Sequence, residues 1–165
     1  YPAEQIFCTQ GDYFHIQCAK GCHAKTYDAV ARFHQMDQAR RDCKVPSYMV
    51  PKCPVCGGKM NMNLRIDQHF VEDEAWYDAD ERFQKFLREA VRSGKKICLI
   101  DCGTGFNTPM IIRFPFEKMV HEHRQCAMVR LNLNEAVVQE SCAEREVGIN
   151  ADMAKSIPDT LKEIK

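Results

Sequence analysis

Two kinds of apolar spacing divide the chain near residue 66. Before this point, short apolar pieces alternate with polar residues around the turn signal Gly11-Asp12, which is typical of one or two short strands. After it, apolar residues recur at helical spacing over residues 74–93, and Gly94 follows as a helix C-cap. The stripe consists of Trp76, Ala79, Phe83, Phe86, Leu87, Ala90 and Val91. We therefore predict a small module at residues 1–66 and a second domain at residues 67–165.

Strand-like and helix-like segments alternate in the second domain. KKICLIDCGTG is an apolar strand that ends in a glycine loop, and its pattern is typical of a parallel strand buried on both faces. PFEKMVHEH and NEAVVQESC predict short helical connections, while CAMVRLNL and EREVGIN predict two further strands. Asp152 is placed to cap a last helix with the apolar face Met153, Ile157, Leu161 and Ile164. The alternation predicts an α/β fold with a parallel, doubly wound sheet that needs a missing half or a partner to cover it.

Composition restricts the classes of partner. With 23 basic and 23 acidic side chains among 165 residues, the net field attracts neither nucleic acid nor an anionic membrane, so we predict neither as a partner. The apolar runs are too short to span a bilayer, and ten cysteines in largely apolar or paired contexts favour a reducing, cytoplasmic location. Because Tyr1 runs directly into structured-looking sequence without a methionine, we expect that an upstream part is missing.

Four cysteines have the spacing of a metal site. Cys18 and Cys22 are separated by three residues, and Cys53 and Cys56 by two, so each pair can supply two thiolates to one tetrahedral zinc ion. Two disulfides, or four unrelated core cysteines, are the alternative. Four thiolates leave no open position for an activated water, so the predicted zinc is structural, and the neighbouring His23 is a bystander or an outer-shell contact.

Polar groups follow each predicted parallel strand. The segment CGTGFNTP comes after the first strand, where ligands of open parallel sheets bind. It contains Gly103, Thr104, Gly105, Asn107 and Thr108. Asn132 ends the second strand and Asp152 follows the third, so the three strand ends are expected to present polar groups to one crevice. An ordinary glycine turn and an ordinary Asn turn remain the alternatives.

These features together resemble the C-terminal half of a sirtuin. TQGDYFHIQCAKGCH, VPSYMVPKCPVCGG, MNMNLRIDQHFVEDEAW and GTGFNTPMIIRFPF are similar to the macrodomain-linked, class M microbial sirtuins, and the resemblance covers nearly the whole chain. It implies the C-terminal part of a Rossmann-like parallel sheet, from residue 67 to residue 165, with a small zinc-binding module at residues 1–66.

The resemblance also implies an activity and a set of cofactor contacts. Sirtuins of this branch are NAD-dependent ADP-ribosyltransferases that act on lipoyl-carrier proteins, so NAD and a protein acceptor are the implied partners. Deacylation of protein lysines is the alternative reaction, and a non-catalytic, zinc-stabilised module that binds a nucleotide or a protein is the alternative of another class. The implied NAD contacts are Gly103, Thr104, Gly105, Asn107 and Thr108 in the loop, Asn132 and Asn134 at the second strand, and Asp152 and Met153 beside the adenine.

The chain departs from the family pattern in two places. Residues 70–73 read FVED where other sirtuins have Phe-Gly-Glu and pair with an acyl-lysine peptide. The glycine-rich cofactor motif and the segment with the catalytic side chain, which precede the zinc module in the family, are expected upstream of Tyr1. We therefore expect no turnover by residues 1–165 alone.

Overall fold

A computed structural model describes residues 1–163 of the chain, so Ile164 of the predicted apolar helix face lies outside the described residues. The chain forms two compact units, Tyr1–Gln84 and Lys85–Lys165. Among the described residues, no helix has the length and apolar character needed to cross a bilayer. Each unit is described by itself below.

The first unit contains a three-stranded antiparallel sheet in the order β2-β1-β3. Its strands are β1 (Gly11–Cys18), β2 (Tyr27–Asp28) and β3 (Met60–Leu64). Helix α1 (Val30–Ala39) and a 3-10 turn (Ser47–Met49) lie in the insertion between the cysteine pairs. Register places Cys18 opposite Met60, so the end of β1 meets the chain that leaves the second cysteine pair.

A buried pair of amides attaches the segment after β3 to this sheet. Gln17 Oε1 accepts hydrogen bonds from Asn63 Nδ2 at 2.7 Å and from the Val71 N–H at 2.9 Å. Asn63 Nδ2 also donates to the Val71 carbonyl at 3.0 Å. Two residues later, Asp73 accepts hydrogen bonds from the Thr26 backbone and hydroxyl and, at 3.1 Å, from the Trp76 N–H. The start of helix α2 (Glu74–Arg92) is therefore fixed by hydrogen bonds between Asp73 and Thr26.

The second unit contains three parallel strands in the order β4-β5-β6. They are β4 (Ile97–Cys102), β5 (Cys126–Asn132) and β6 (Glu146–Asn150), with helices α3 (Arg113–Glu122) and α4 (Met153–Glu163). The connection from β5 to β6 is irregular up to a 3-10 turn (Glu140–Cys142), where a short helical segment was expected. The core on the α3 side consists of Leu99, Val120, Cys126, Met128 and Cys142.

Within the described residues, β4 is buried on one face, whereas the sequence predicted burial on both faces with a missing half or a partner as cover. Leu99 and Asp101 are buried, whereas Ile100 between them is 63% exposed. Val129, opposite Ile100 in β5, is half-buried, and Val147, opposite Val129 in β6, is exposed. The apolar character of ICLI therefore reflects one face packed in the core and one apolar face left open to solvent within this unit.

Candidate functional site

The four predicted cysteine ligands lie together in the first unit. Their sulfur atoms are all within 4.8 Å of one another. Cys18 Sγ lies 3.7 Å from Cys56 Sγ, and Cys22 Sγ lies 3.6 Å from Cys53 Sγ. A tetrahedron of sulfurs at the usual zinc–sulfur distance of about 2.3 Å has edges of about 3.8 Å. The cluster has the composition and the spacing of a site that could hold a metal ion, and the two chelate loops reach it from opposite ends of the insertion.

The thiols in this cluster are electrostatically unequal. Backbone N–H groups of Cys22 and Lys20 point at the Cys18 sulfur and lower the pKa of Cys18 to about 6. Loss of hydration, together with the neighbouring sulfurs, raises the pKa of Cys22 to about 12. The backbone N–H of Cys56 lowers the pKa of Cys53 in the same way as the N–H groups at Cys18. Several thiolates packed this closely repel one another, and a divalent cation would remove that conflict.

His23 contacts this cluster from outside it. Its Nδ1 lies 3.1 Å from Cys22 Sγ, and its Nε2 lies 2.9 Å from the Tyr27 hydroxyl. With four sulfurs already grouped, the histidine has the position of an outer-shell contact, in which one ring nitrogen meets a ligand and the other meets an orienting group.

In the second unit, the loop after β4 turns sharply at Gly103. This glycine has φ +81°, a left-handed conformation that favours glycine, and its N–H donates to the Leu131 carbonyl at 2.7 Å. A Cβ at this position would lie 3.1 Å from Met153 Cε. Gly103 and Met153 are therefore neighbours at the carboxyl ends of the parallel strands.

Thr104 is held by its side chain and its carbonyl. Its hydroxyl lies 2.5 Å from both carboxylate oxygens of Asp101 and donates to that carboxylate. Its carbonyl accepts Asn132 Nδ2 at 3.2 Å. Asn132 Oδ1 in turn accepts the N–H groups of Asn134 and Glu135, each at 3.0 Å. Asn132 thus connects the loop after β4 to the loop after β5.

Arg113 also connects the loop after β4 to the loop after β5. This side chain is 1% exposed, and its guanidinium donates to the Thr104 and Glu135 carbonyls at 3.1 Å and to the Val137 carbonyl at 3.2 Å. It also lies 3.9 Å from the centre of the Phe106 ring. The Arg113 guanidinium therefore holds the loop after β4 in place.

Glu135 contacts the exposed side of this loop. Its Oε2 accepts the Phe106 N–H at 3.2 Å, and a Cβ added at Gly105 would lie 2.7 Å from the same oxygen. The Glu135 carboxylate thus occupies a backbone donor of the glycine loop, and a phosphate would bind this donor only by displacing the carboxylate.

A buried ionic network supports the loop from within the sheet. Arg130 is fully buried, its Nε donates to Asp101 at 2.7 Å, and its Nη1 donates to Glu117 at 2.7 Å and to the Val137 carbonyl at 2.6 Å. Asp101 therefore faces Arg130 on one side and Thr104 on the other. The sequence pattern did not identify Asp101, Arg113, Arg130 or Glu135 as site residues. The available signal was the charged residue inside each apolar strand, ICLIDC and CAMVRLN.

The remaining predicted cofactor residues lie on the surface around the strand ends. Asp152 is exposed, and its Oδ1 accepts the Ala154 N–H at 2.9 Å, so it caps α4 as expected from the sequence. Asn107, Thr108 and Asn134 are also exposed. The structure brings Gly103, Thr104, Asn132 and Met153 together, while these four surround them on loops of the same edge.

Two curated relatives match the chain along nearly its whole length. A protein ADP-ribosyltransferase of Staphylococcus aureus is 28% identical over 163 residues, which are 98% of this chain and 51% of that protein. A probable bifunctional ADP-ribose hydrolase/ADP-ribosyltransferase of Fusarium oxysporum f. sp. cubense is 25% identical over 170 residues, which are 96% of this chain and 28% of that protein. The chain is similar to two proteins named as ADP-ribosyltransferases.

Both matches cover only part of the relative's length. The chain spans about half the length of the bacterial relative and about a quarter of the fungal one. No protein-family model matches the chain. The relationship to ADP-ribosyltransferases is therefore carried by these two alignments.

Proposed function

We propose that this chain is part of an NAD-dependent protein ADP-ribosyltransferase of the sirtuin type. The observation that carries the proposal is the meeting of Gly103, Thr104, Asn132 and Met153 at the carboxyl ends of adjacent parallel strands. That edge is where open α/β sheets bind nucleotides, so we interpret the three strands as the C-terminal part of a Rossmann-like sheet. The names of both relatives support the same reaction class.

The residues present fit an NAD molecule at this edge. The space beside Gly103 and Gly105 is occupied by Met153 Cε and Glu135 Oε2, so a phosphate would reach the loop backbone by displacing these two flexible side chains. Asn107 and Thr108 are exposed on the same loop, and Asn134 and Asp152 are exposed on the next two. Asn107 and Thr108 would face the phosphates and the nearby ribose, Asn134 the adenosine ribose, and Asp152 and Met153 the adenine.

In the proposed reaction, NAD supplies the ADP-ribosyl group, which passes to a nucleophile of an acceptor protein while nicotinamide leaves. The chain's own part is to hold the cofactor in a fixed position. Asn132 and Arg113 fix the Thr104 carbonyl, and Asp101 fixes the Thr104 hydroxyl, so little ordering remains when the cofactor binds. On the sirtuin resemblance, we further propose a lipoyl-carrier protein as the acceptor and a catalytic side chain that precedes Tyr1.

The structure of residues 70–73 favours transfer over deacylation. A deacylating sirtuin would pair this segment with an acyl-lysine peptide as a neighbouring strand, which needs free backbone groups. Here the Val71 N–H donates to Gln17, and the Val71 carbonyl accepts Asn63. Both groups are used inside the first unit, so strand pairing at Val71 would require breaking a buried hydrogen-bonded pair.

The cysteine cluster would hold a structural zinc ion through Cys18, Cys22, Cys53 and Cys56. Four sulfur ligands complete a tetrahedral shell, so the ion would organise the first unit and take no part in the reaction. We also propose that residues 1–66 act as the zinc module and residues 67–165 as the cofactor-binding part.

A pair of glycine substitutions tests the proposed NAD site. Gly103→Ala is expected to weaken NAD binding at least about tenfold, because left-handed backbone costs an alanine about 1–2 kcal/mol and the new Cβ displaces Met153. Gly94→Ala is the matched control, since Gly94 has φ +66° but no neighbouring atom within 4 Å of its added Cβ. Isothermal titration calorimetry with NAD, on the full-length protein that contains this chain, measures both.

The two variants separate a site effect from a general loss of stability. Both variants place an alanine in a left-handed backbone conformation, so both are strained. Equal weakening of NAD binding by Gly103→Ala and Gly94→Ala would therefore argue against a cofactor site at the β4 loop. Unchanged affinity in Gly103→Ala would remove the loop from the site altogether.

A further inference from the structure

An open groove lies in the insertion between the two cysteine pairs. It encloses about 520 Å³ and is lined by Arg32, Ser47, Tyr48, Val50 and Lys52. Arg32 extends from α1 toward the 3-10 turn, where its Nη1 lies 3.5 Å from the Met49 carbonyl. The groove therefore lies between a helix and the proline-flanked segment that leads to Cys53.

The groove is positively charged although the whole chain is neutral. Residues 23–52 contain six basic and three acidic side chains. Of these acids, Asp37 pairs with Arg40 at 3.0 Å, and Asp28 accepts the Val30 N–H at 3.1 Å. Within residues 1–163, neither Arg32 nor Lys52 has a carboxylate within 4.0 Å. Two cations thus line one groove without neutralising partners.

Apolar surface lies beside these cations. Tyr48 is 84% exposed and Val50 is 50% exposed, although both lie on the short segment between Pro46 and Pro51. Prolines limit the backbone freedom of such a segment, so little entropy would be lost when a partner contacts it. An exposed tyrosine with a nearby arginine is a combination enriched at protein interfaces.

We propose that this groove binds an acidic segment of the acceptor protein. That the bound segment belongs to an acceptor protein rests on the proposed transferase function. The preference of the groove for carboxylates rests on Arg32, Lys52 and Tyr48. A segment with two carboxylates flanking an apolar side chain matches the two cations, Tyr48 and Val50. Nucleic acid fits less well, because its binding needs a continuous track of cations along many phosphates.

Charge reversal in the groove tests this proposal. The probe is a short fluorescein-labelled peptide of Glu, Ala and Leu, and the control peptide has Gln at each Glu position. In fluorescence anisotropy, Arg32→Glu combined with Lys52→Glu is expected to raise the Kd of the Glu peptide at least about tenfold, since attraction becomes repulsion at two positions. Lys95→Glu combined with Lys96→Glu, two exposed lysines in the second unit, should leave the Kd unchanged.

Three results would overturn the proposal. They are equal affinity for the Glu and Gln peptides, equal loss in the two double variants, and tighter, groove-dependent binding of single-stranded DNA than of the Glu peptide. NAD binding and metal content are measured on the same protein samples. If the protein binds NAD but does not discriminate between the Glu and Gln peptides, only the proposed role of the groove is wrong. If it discriminates between the peptides but does not bind NAD, the proposed transferase function is wrong and the groove remains a site for acidic peptides.

Discussion

Cys53→Ala is expected to abolish metal binding and unfold the first unit at ambient temperature. The cluster joins the end of β1 to the loop at residues 53–56, and its sulfurs lie within 4.8 Å of one another. Binding of a structural zinc ion contributes on the order of 10 kcal/mol of apparent free energy, which is comparable with the whole stability of a small domain. A unit of this size with few fully buried side chains depends strongly on such a crosslink.

Trp76 offers a direct probe of this unfolding. It is the single tryptophan of the chain, it lies in the first unit, and its ring centre is 5.1 Å from that of Phe7. Trp76 fluorescence should show the native emission with about one zinc per chain in the wild type, and the emission of an exposed tryptophan in Cys53→Ala. Cys43→Ala is the matched control, because Cys43 is exposed in the same insertion and lies outside the cluster.

Two results would contradict a structural metal centre. One is a well-folded wild-type protein that contains no metal after purification without chelators. The other is a Cys43→Ala variant that loses as much metal and stability as Cys53→Ala.

Arg130→Met is expected to destabilise the second unit by about 3–5 kcal/mol, because it leaves a buried carboxylate without its cation. Arg130 and Asp101 are both fully buried, and Arg130 Nε lies 2.7 Å from Asp101 Oδ2. Glu117 keeps a second contact, at 3.6 Å, with Arg113. The main loss therefore falls on Asp101, the residue that holds Thr104 in the loop.

Urea unfolding followed by circular dichroism measures this effect. Arg124→Met, at an exposed arginine of the same unit, should change the midpoint little. Adding Asp101→Leu to Arg130→Met should recover part of the lost stability, because it removes the stranded charge. A midpoint for Arg130→Met equal to that of Arg124→Met would show that the buried pair does not support the sheet.

The four-cysteine cluster and the parallel strands of the second unit could be predicted because both follow from local sequence patterns. Cys18 with Cys22, and Cys53 with Cys56, form chelate loops whose reach is fixed by the backbone, whatever the insertion does. The parallel strands follow from apolar segments that alternate with polar connections. Helix α2 appeared at the expected position, although its Phe86 is 64% exposed, because an apolar stripe does not specify what covers it.

The support of the glycine loop could not be predicted, since it depends on side chains that are distant in sequence. Arg113 donates to carbonyls at positions 104, 135 and 137, and no local pattern reports such contacts. The residue type alone does not distinguish a buried arginine from an exposed one. The single indication in the sequence was that the charged residues Asp101 and Arg130 interrupt apolar strands. Burial of either charge is unfavourable unless the other neutralises it.

The predicted cofactor residues divide into two groups in the structure. The side chains of Thr104 and Asn132 form hydrogen bonds within the unit, so these two residues position the loop. Asn107, Asn134 and Asp152 are exposed at the same edge and are available to a ligand. The strand ends are recognisable in the sequence, which is why this edge was predicted as the candidate site, but the sequence does not separate exposed residues from residues that hold the loop.

The most direct test of the account is a nicotinamide-release measurement on the full-length protein that contains this chain. The protein is incubated with NAD labelled in the nicotinamide and adenosine parts, with and without a lipoyl-carrier protein. Nicotinamide is expected to be released in the presence of the acceptor, and an equal amount of ADP-ribose is expected to become covalently attached to the acceptor. Nicotinamide release no greater than in the enzyme-free control, with no label on any protein, would contradict the proposed transferase function.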